Sequence, residues 1–240
     1  MGFKMKMAGA LINMGFPVLK YFKPDLLRRT KIISHYGIDL LFDVGANIGQ
    51  YGILSRTLNY KGKIVSFEPL NDAFEKLKQA SGNDSNWTIN HFALGDIATK
   101  ETINIAGNSG SSSILNMEKK HVETLPESQY IGTQEIEIKT LNEVFGSFYS
   151  KGNKVMLKID TQGYEKNVLE GADQVLDKIT LIQLEMSLIP LYQNEILFPE
   201  MVSYMEEKGF TLIALENGFS DAKTGQLFQV DGIFLNKKFG

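Results

Sequence analysis

The chain has 240 residues, 43% hydrophobic and 22% charged, with a net charge of −3, enough for one α/β domain with a sizeable core. It contains no cysteine, so a disulfide framework, a cysteine nucleophile and a thiolate zinc site are excluded, and a cytoplasmic location is expected. The mild acidity and the lack of a basic stripe interleaved with aromatics argue against nucleic acid as a partner.

Charge is uneven along the chain. In the first 31 residues Lys4, Lys6, Lys20, Lys23, Arg28, Arg29 and Lys31 stand against Asp25 alone. Met7, Leu11, Met14, Val18 and Leu19 recur at helical spacing, so Met5 to Phe22 is expected to form an amphipathic helix within an N-terminal segment of residues 1–36. Two placements fit it: on an anionic membrane surface, or against the domain that follows. The helix is too short, and too interrupted by Asn13, Gly15 and Pro17, to span a bilayer. No small-residue cleavage site follows it, and Lys6 sits where a myristoylation signal wants Ser or Thr.

The segment Leu40 to Gly52 carries an apolar strand into a glycine turn and then a helix. Open α/β sheets bind ligands beyond the carboxyl ends of their strands, and glycines in such a turn permit close approach of a backbone. Dinucleotide sites use G-x-G-x-x-G, but here Asn47 stands between Gly45 and Gly49, which disfavours a pyrophosphate. No Lys-Ser/Thr pair follows, so a P-loop is excluded as well. A cofactor without phosphates fits best, and S-adenosylmethionine (SAM) is the common one.

The second strand, Ile64 to Glu68, ends in an acid placed to accept hydrogen bonds from ribose hydroxyls. Pro69 stops the ladder, and Asn71 and Asp72 are expected to cap the next helix. Further strands are predicted at Thr88–Ala93, Val155–Asp160, Leu181–Glu185, Thr211–Leu215 and Val230–Leu235, the last two pairing antiparallel across a short loop at Asn217–Gly225. Residues 96–150 form a long insertion with strand-like Thr102–Ile105 and Gln134–Lys139 around the run Asn108–Ser113. A small β extension is expected there, its Ser-rich tip either near the cofactor or acceptor or simply solvated.

Five blocks together resemble the FkbM-type SAM-dependent methyltransferases: Phe42–Gly49, Phe67-Glu68-Pro69, Asn90–Asp96, Leu157–Glu165 and Gln183–Met186. The Lys158-Ile159-Asp160-x-x-Gly163-Tyr164-Glu165 segment is the most specific of them, although Gln162 stands where many relatives carry Glu. The resemblance implies a Rossmann-like class I sheet over residues 37–240, mostly parallel with a final antiparallel strand. It implies SAM binding by Asp43, Gly45, Ala46, Asn47, Gly49, Gln50, Tyr51, Glu68, Pro69 and Asp160, with adenine against Ala93, Leu94 and Gly95.

Methyl transfer from a sulfonium needs in-line positioning and, for an alcohol, a base. Asp160 is the leading candidate, facing either the methionine end or the acceptor. Glu165 and Glu185 are further acidic candidates, each with a plain alternative: a helix-dipole acid at Glu165 and a fixed partner for the buried Glu185. His91 is a general-base candidate whose alternative is a core residue, and His35 and His121 are expected at the surface. Asp160, Glu185 and Asp231 can in principle converge on a hard cation, but nothing in their spacing requires it and no metal is expected. The expected activity is O-methylation of a hydroxyl on a sugar, glycan, glycolipid or secondary metabolite. The rival readings are a nicotinamide-dependent oxidoreductase and a noncatalytic interaction module on the same sheet.

Overall fold

The structure, a computed structural model, describes residues 24–240; the expected helix at Met5 to Phe22 lies outside the described residues. The elements in chain order are α1 (Pro24–His35), β1 (Leu40–Val44), α2 (Gln50–Thr57), β2 (Lys63–Phe67), α3 (Asn71–Ser81), β3 (Trp87–Asn90), β4 (Ala93–Leu94), β5 (Thr99–Ala106), α4 (Lys119–Thr124), β6 (Tyr130–Lys139), α5 (Leu141–Val144), β7 (Val155–Ile159), α6 (Glu165–Glu170), β8 (Ile179–Ser187), α7 (Phe198–Glu207), β9 (Phe210–Asn217) and β10 (Gln229–Asn236).

Seven strands make one sheet in the order β3-β2-β1-β7-β8-β10-β9. Every pairing from β3 to β8 is parallel, and β10 inserts antiparallel between β8 and β9. Short turn-linked strands pair antiparallel while crossover helices force parallel pairing, so the loop before β10 explains why this strand alone is reversed. Insertion residues build a second sheet, β4-β6-β5.

Side chains two apart on a strand share a face, and the register turns that rule into rows. Ile64, Leu41, Met156 and Leu181 lie side by side as a buried apolar row. The next row on this face is polar, with Ser66, Asp43, Lys158 and Gln183 in register. Two residues further along come Glu68, Gly45, Asp160 and Glu185, and the register continues through Asp231 to Glu216. Charge is therefore gathered at the carboxyl ends, above an apolar floor. On the opposite face Phe42, Val44, Phe67, Leu157, Ile159 and Leu184 pack against Leu141, Val168, Leu169, Met201 and Met205 of the covering helices.

Three local expectations need correction. The stretch Thr88–Ala93 is two strands: β3 ends at Asn90, whose Nδ2 donates to the Ser66 carbonyl (3.2 Å), and Ala93–Leu94 pair with β6 instead. As the sheet's edge, β3 has no outer neighbour to hold the chain in the ladder, and burial of Ala93 and Leu94 against the insertion draws it away. The N-cap of α3 is Leu70, without a side-chain cap, rather than Asn71 or Asp72. His121 is buried rather than at the surface, packed against Tyr192 and Phe219, and burial pulls its pKa down to about 4.

Candidate active site

The β1–α2 turn is built from left-handed residues, with φ of +71° at Gly45, +48° at Asn47 and +87° at Gly49. A side chain on Gly45 would strike the Asp160 carbonyl oxygen, and one on Gly49 would crowd Leu77, Ala80 and Trp87. These glycines thus let strands and helices of the protein itself close up.

Folded this way, the turn delivers backbone donors to the end of β2. Gly45 and Ala46 N–H donate to the Phe67 carbonyl (3.1 and 3.0 Å), Asn47 N–H donates to Glu68 Oε2 (2.7 Å), and Leu70 N–H donates to Oε1 (2.8 Å). Glu68 is buried, and burial raises its pKa to about 7 in spite of the Leu70 and Asn47 donors. Each carboxylate oxygen has a second lone-pair direction, so Glu68 retains capacity for two hydroxyl donors from a ligand.

A cavity of about 410 Å³ lies along the turn. Gly45, Ala46, Asn47, Gln50 and Tyr51 form one wall, Glu68, Pro69, Ala93 and Leu94 a second, and Asp160 and Glu185 the far end. Several expected site residues stand outside this lining. Asp43 lies beneath it, fully buried, bonded to Ser66 Oγ (3.1 Å) and ion-paired to Lys158 (3.2 Å). Gly49 packs on α3, and Gly95 packs against Ile138 and Tyr164.

Two catalytic candidates lie outside the cavity lining. His91 follows the end of β3, exposed and stacked on Phe74 at 4.2 Å, so it neither enters the core nor reaches the cavity. Glu165 is buried, and its Oε1 accepts from Thr161 N–H (2.8 Å), Thr161 Oγ1 (3.2 Å) and Gly163 N–H (3.2 Å). Its carboxylate is used to hold the turn before α6. Burial nevertheless raises its pKa to about 7.

Asp160 and Glu185 share one amide. Gln162 Nε2 donates to Asp160 Oδ1 (2.8 Å) and to Glu185 Oε2 (2.6 Å), and Gln229 Nε2 also donates to Glu185 Oε2 (2.8 Å). Gln162 has a left-handed backbone (φ +57°). Its Oε1 accepts from Tyr192 Oη (2.7 Å) and its carbonyl from Ser113 Oγ (2.7 Å). Desolvation first, then Asp160 and Asp231, push the Glu185 carboxyl well above its ordinary range; desolvation and Asp160 raise Asp231 to about 6. The Ser-rich tip meets the cavity at its other side, where Ser109 Oγ donates to Asn47 Oδ1 (2.8 Å).

Sequence reasoning assigned no role to Lys158, Gln162, Tyr192, Gln229 or Arg29. Lys158 sits two residues before Asp160 on a strand, so the pleat alone puts both on one face. Burial pulls the Lys158 pKa down, and Asp160 and Asp43 more than reverse this, so it stays charged. The others arrive through tertiary contacts that leave no local pattern. Among the described residues no group of three or more His, Cys, Asp or Glu is placed to hold a metal ion, and no helix is long and apolar enough to cross a membrane.

Comparison with known proteins adds a family to this geometry. The chain is 22% identical over 194 residues to methyltransferase sdnD of Sordaria araneosa, covering 72% of this chain and 73% of that one. Among solved structures it is similar to an rRNA methylase from Streptococcus thermophilus (9% identity, TM-score 0.47, 90% of this chain and 98% of that one). It is also similar to the fibrillarin pre-rRNA processing protein of Methanococcus jannaschii (10% identity, TM-score 0.48, 83% and 67%). Residues 43–212 match the methyltransferase FkbM domain. That match spans the glycine turn, Glu68, the Lys158–Glu165 segment and Glu185, and the chain is a methyltransferase belonging to the FkbM family.

Proposed function

We propose that the chain is a SAM-dependent O-methyltransferase acting on a hydroxyl of a sugar, glycan, glycolipid or secondary metabolite. The observation that carries the reading is the distribution of carboxylates in one cavity: Glu68 at one side of the glycine turn, and Asp160 and Glu185 joined through Gln162 at the other. The residues fit the cofactor, because Glu68 keeps lone pairs for two ribose hydroxyls and Ala93 and Leu94 offer an apolar wall beyond it.

When bound, SAM supplies a methyl group on a sulfonium whose leaving group is a neutral thioether. The chain's own task is to hold the acceptor in line and to remove one proton from an alcohol. Glu185 is the base. Both amide donors, from Gln162 and Gln229, meet its Oε2, which leaves Oε1 without a protein donor among the described residues. A carboxylate whose pKa is raised by burial takes a proton more readily than a solvated one. Lys158 fixes Asp160 at 3.4 Å from its Nζ, and Tyr192 and Ser113 fix Gln162.

Incubation with methyl-labelled SAM and panels of saccharides, glycolipids and hydroxylated metabolites tests this. Label recovered in a base-stable ether supports the reading. Label found only on amines, or transfer only to a base-labile ester, contradicts O-methylation of an alcohol.

A further inference from the structure

The two ends of the Gln162 amide are the same size, so hydrogen-bond partners alone decide which end faces the acids. Asp160 lies 3.4 Å from Lys158 Nζ, and a carboxylate paired with a lysine accepts and does not donate. The nitrogen is therefore the end that meets Asp160 Oδ1 (2.8 Å) and Glu185 Oε2 (2.6 Å). Oε1 is turned the other way, into the protein, where an acceptor without a donor is costly.

Among the described residues Oε1 has one donor, the Tyr192 hydroxyl at 2.7 Å. The same hydroxyl lies 3.1 Å from the Ser111 carbonyl. It has a single proton for two acceptors, and the shorter contact takes it. Tyr192 is fully buried, and burial, then Glu185, holds its phenol far above the ordinary range, so the proton is kept. The backbone of Tyr192 is fixed from two sides: its N–H donates to Glu195 Oε1 (2.8 Å), and Met117 of the insertion bridges to it antiparallel. The His121 ring meets its ring edge-on at 5.3 Å. A ring seated this firmly delivers its hydroxyl to one place.

An amide that accepts at its oxygen donates more strongly at its nitrogen, because hydrogen bonds in a chain polarise one another. We infer that Tyr192 is a positioning residue for proton transfer: by donating to Gln162 Oε1 it holds the amide nitrogen on Asp160 and Glu185, and so presents Glu185 Oε1 to the acceptor. This rests on Glu185 as the base in the reading above. It also gives the insertion a part in the chemistry, since Met117 and His121 seat the tyrosine and Ser113 Oγ holds the Gln162 carbonyl (2.7 Å).

The test is an NMR titration of the Glu185 carboxyl in the full, ligand-free chain carrying isotope-labelled glutamate, with the resonance assigned from Glu185→Gln. Glu185 faces Asp160 and Lys158 on β7, Asp231 on β10 and Glu165 on α6, all of which are kept in the variants compared. Tyr192→Phe keeps the ring and removes the donor, and the Glu185 midpoint is expected to rise by about one pH unit, the size of one hydrogen bond to a charged group. In a Gln162→Met background the same substitution should not move it. A tyrosine that only fills space would change the melting temperature and not the titration. If Tyr192→Phe does not fold, the Tyr192 hydroxyl proton of the unmodified chain decides: its resonance should follow the Glu185 titration, and a resonance that ignores it overturns the inference. A midpoint unmoved in Tyr192→Phe, or moved equally in both backgrounds, also overturns it and leaves Glu185 as the base. Full turnover by Glu185→Gln with methyl-labelled SAM overturns the base, and the inference with it, whatever the titrations show.

Discussion

Lys158 Nζ stands between two carboxylates, 3.2 Å from Asp43 beneath the cavity and 3.4 Å from Asp160 at its lining. The lysine joins the fully buried centre of the sheet to the cavity lining at Asp160. Removing one partner of a buried ion pair leaves the other charge uncompensated, at a cost of about 3–5 kcal/mol. Lys158→Met is therefore expected to lose about that much stability in urea denaturation, and Asp43→Asn, which removes the charge from the other side, to lose less. A Lys158→Met loss below about 1 kcal/mol would show that Asp43 does not depend on this lysine.

The amide of Gln162 explains how two carboxylates coexist. One Nε2 donates to both Asp160 and Glu185. A glutamate there brings a third negative charge, which disfavours ionisation of its neighbours. In Gln162→Glu the alkaline-going rise of kcat should move to higher pH by about one unit, with a loss of thermal stability because both amide donors are removed. An unmoved profile would remove Glu185 and Asp160 from the proton-transfer step.

Glu165 separates a structural role from a catalytic one. It holds Thr161 N–H and Gly163 N–H with a single oxygen, so Glu165→Ala should destabilise the fold by about 2–4 kcal/mol, since each stranded buried donor costs about 1–3 kcal/mol. Glu165→Gln keeps an acceptor oxygen and should retain most of the turnover. Loss of turnover in a fully stable Glu165→Gln protein would return this residue to the chemistry.

Buried acids set the pH dependence of stability. Burial raises Glu68, Glu165 and Glu216 to about 7 and Asp231 to about 6, so the folded chain keeps protons that the unfolded chain releases near pH 4. Their contribution is fully present below the unfolded values and is lost as pH rises through the folded ones. His121, at about 4, acts in the opposite sense and only as pH falls below about 6.5. Between pH 6.5 and 8 the ligand-free chain should therefore melt at progressively lower temperature, with a shallower slope in Glu165→Gln. A melting temperature that rises over this window would contradict these burial effects.

Much of the sheet is legible in the chain because apolar runs with turn signals mark β1, β2, β7 and β8, and because the short loop before Val230 demands an antiparallel return. Glu68, Asp160 and Glu185 are legible as acids closing such runs. Lys158 is less visible: its meaning depends on register with Asp43, which no single strand reveals. Arg29 and Tyr192 reach the site from α1 and from the loop after β8, through contacts more than a hundred and about thirty residues apart in sequence. His91 misleads because an edge strand can end early, so the pleat that would aim it inward stops at Asn90.

Glu68 carries the central claim, that the turn and the end of β2 form a SAM site, and calorimetric titration with S-adenosylhomocysteine, with NADH in parallel, tests it most directly. The account predicts binding of S-adenosylhomocysteine, none of NADH, and a loss of about two orders of magnitude or more in Glu68→Ala, since two charge-assisted contacts are removed. Binding of NADH instead, or S-adenosylhomocysteine affinity unchanged in Glu68→Ala, would contradict it.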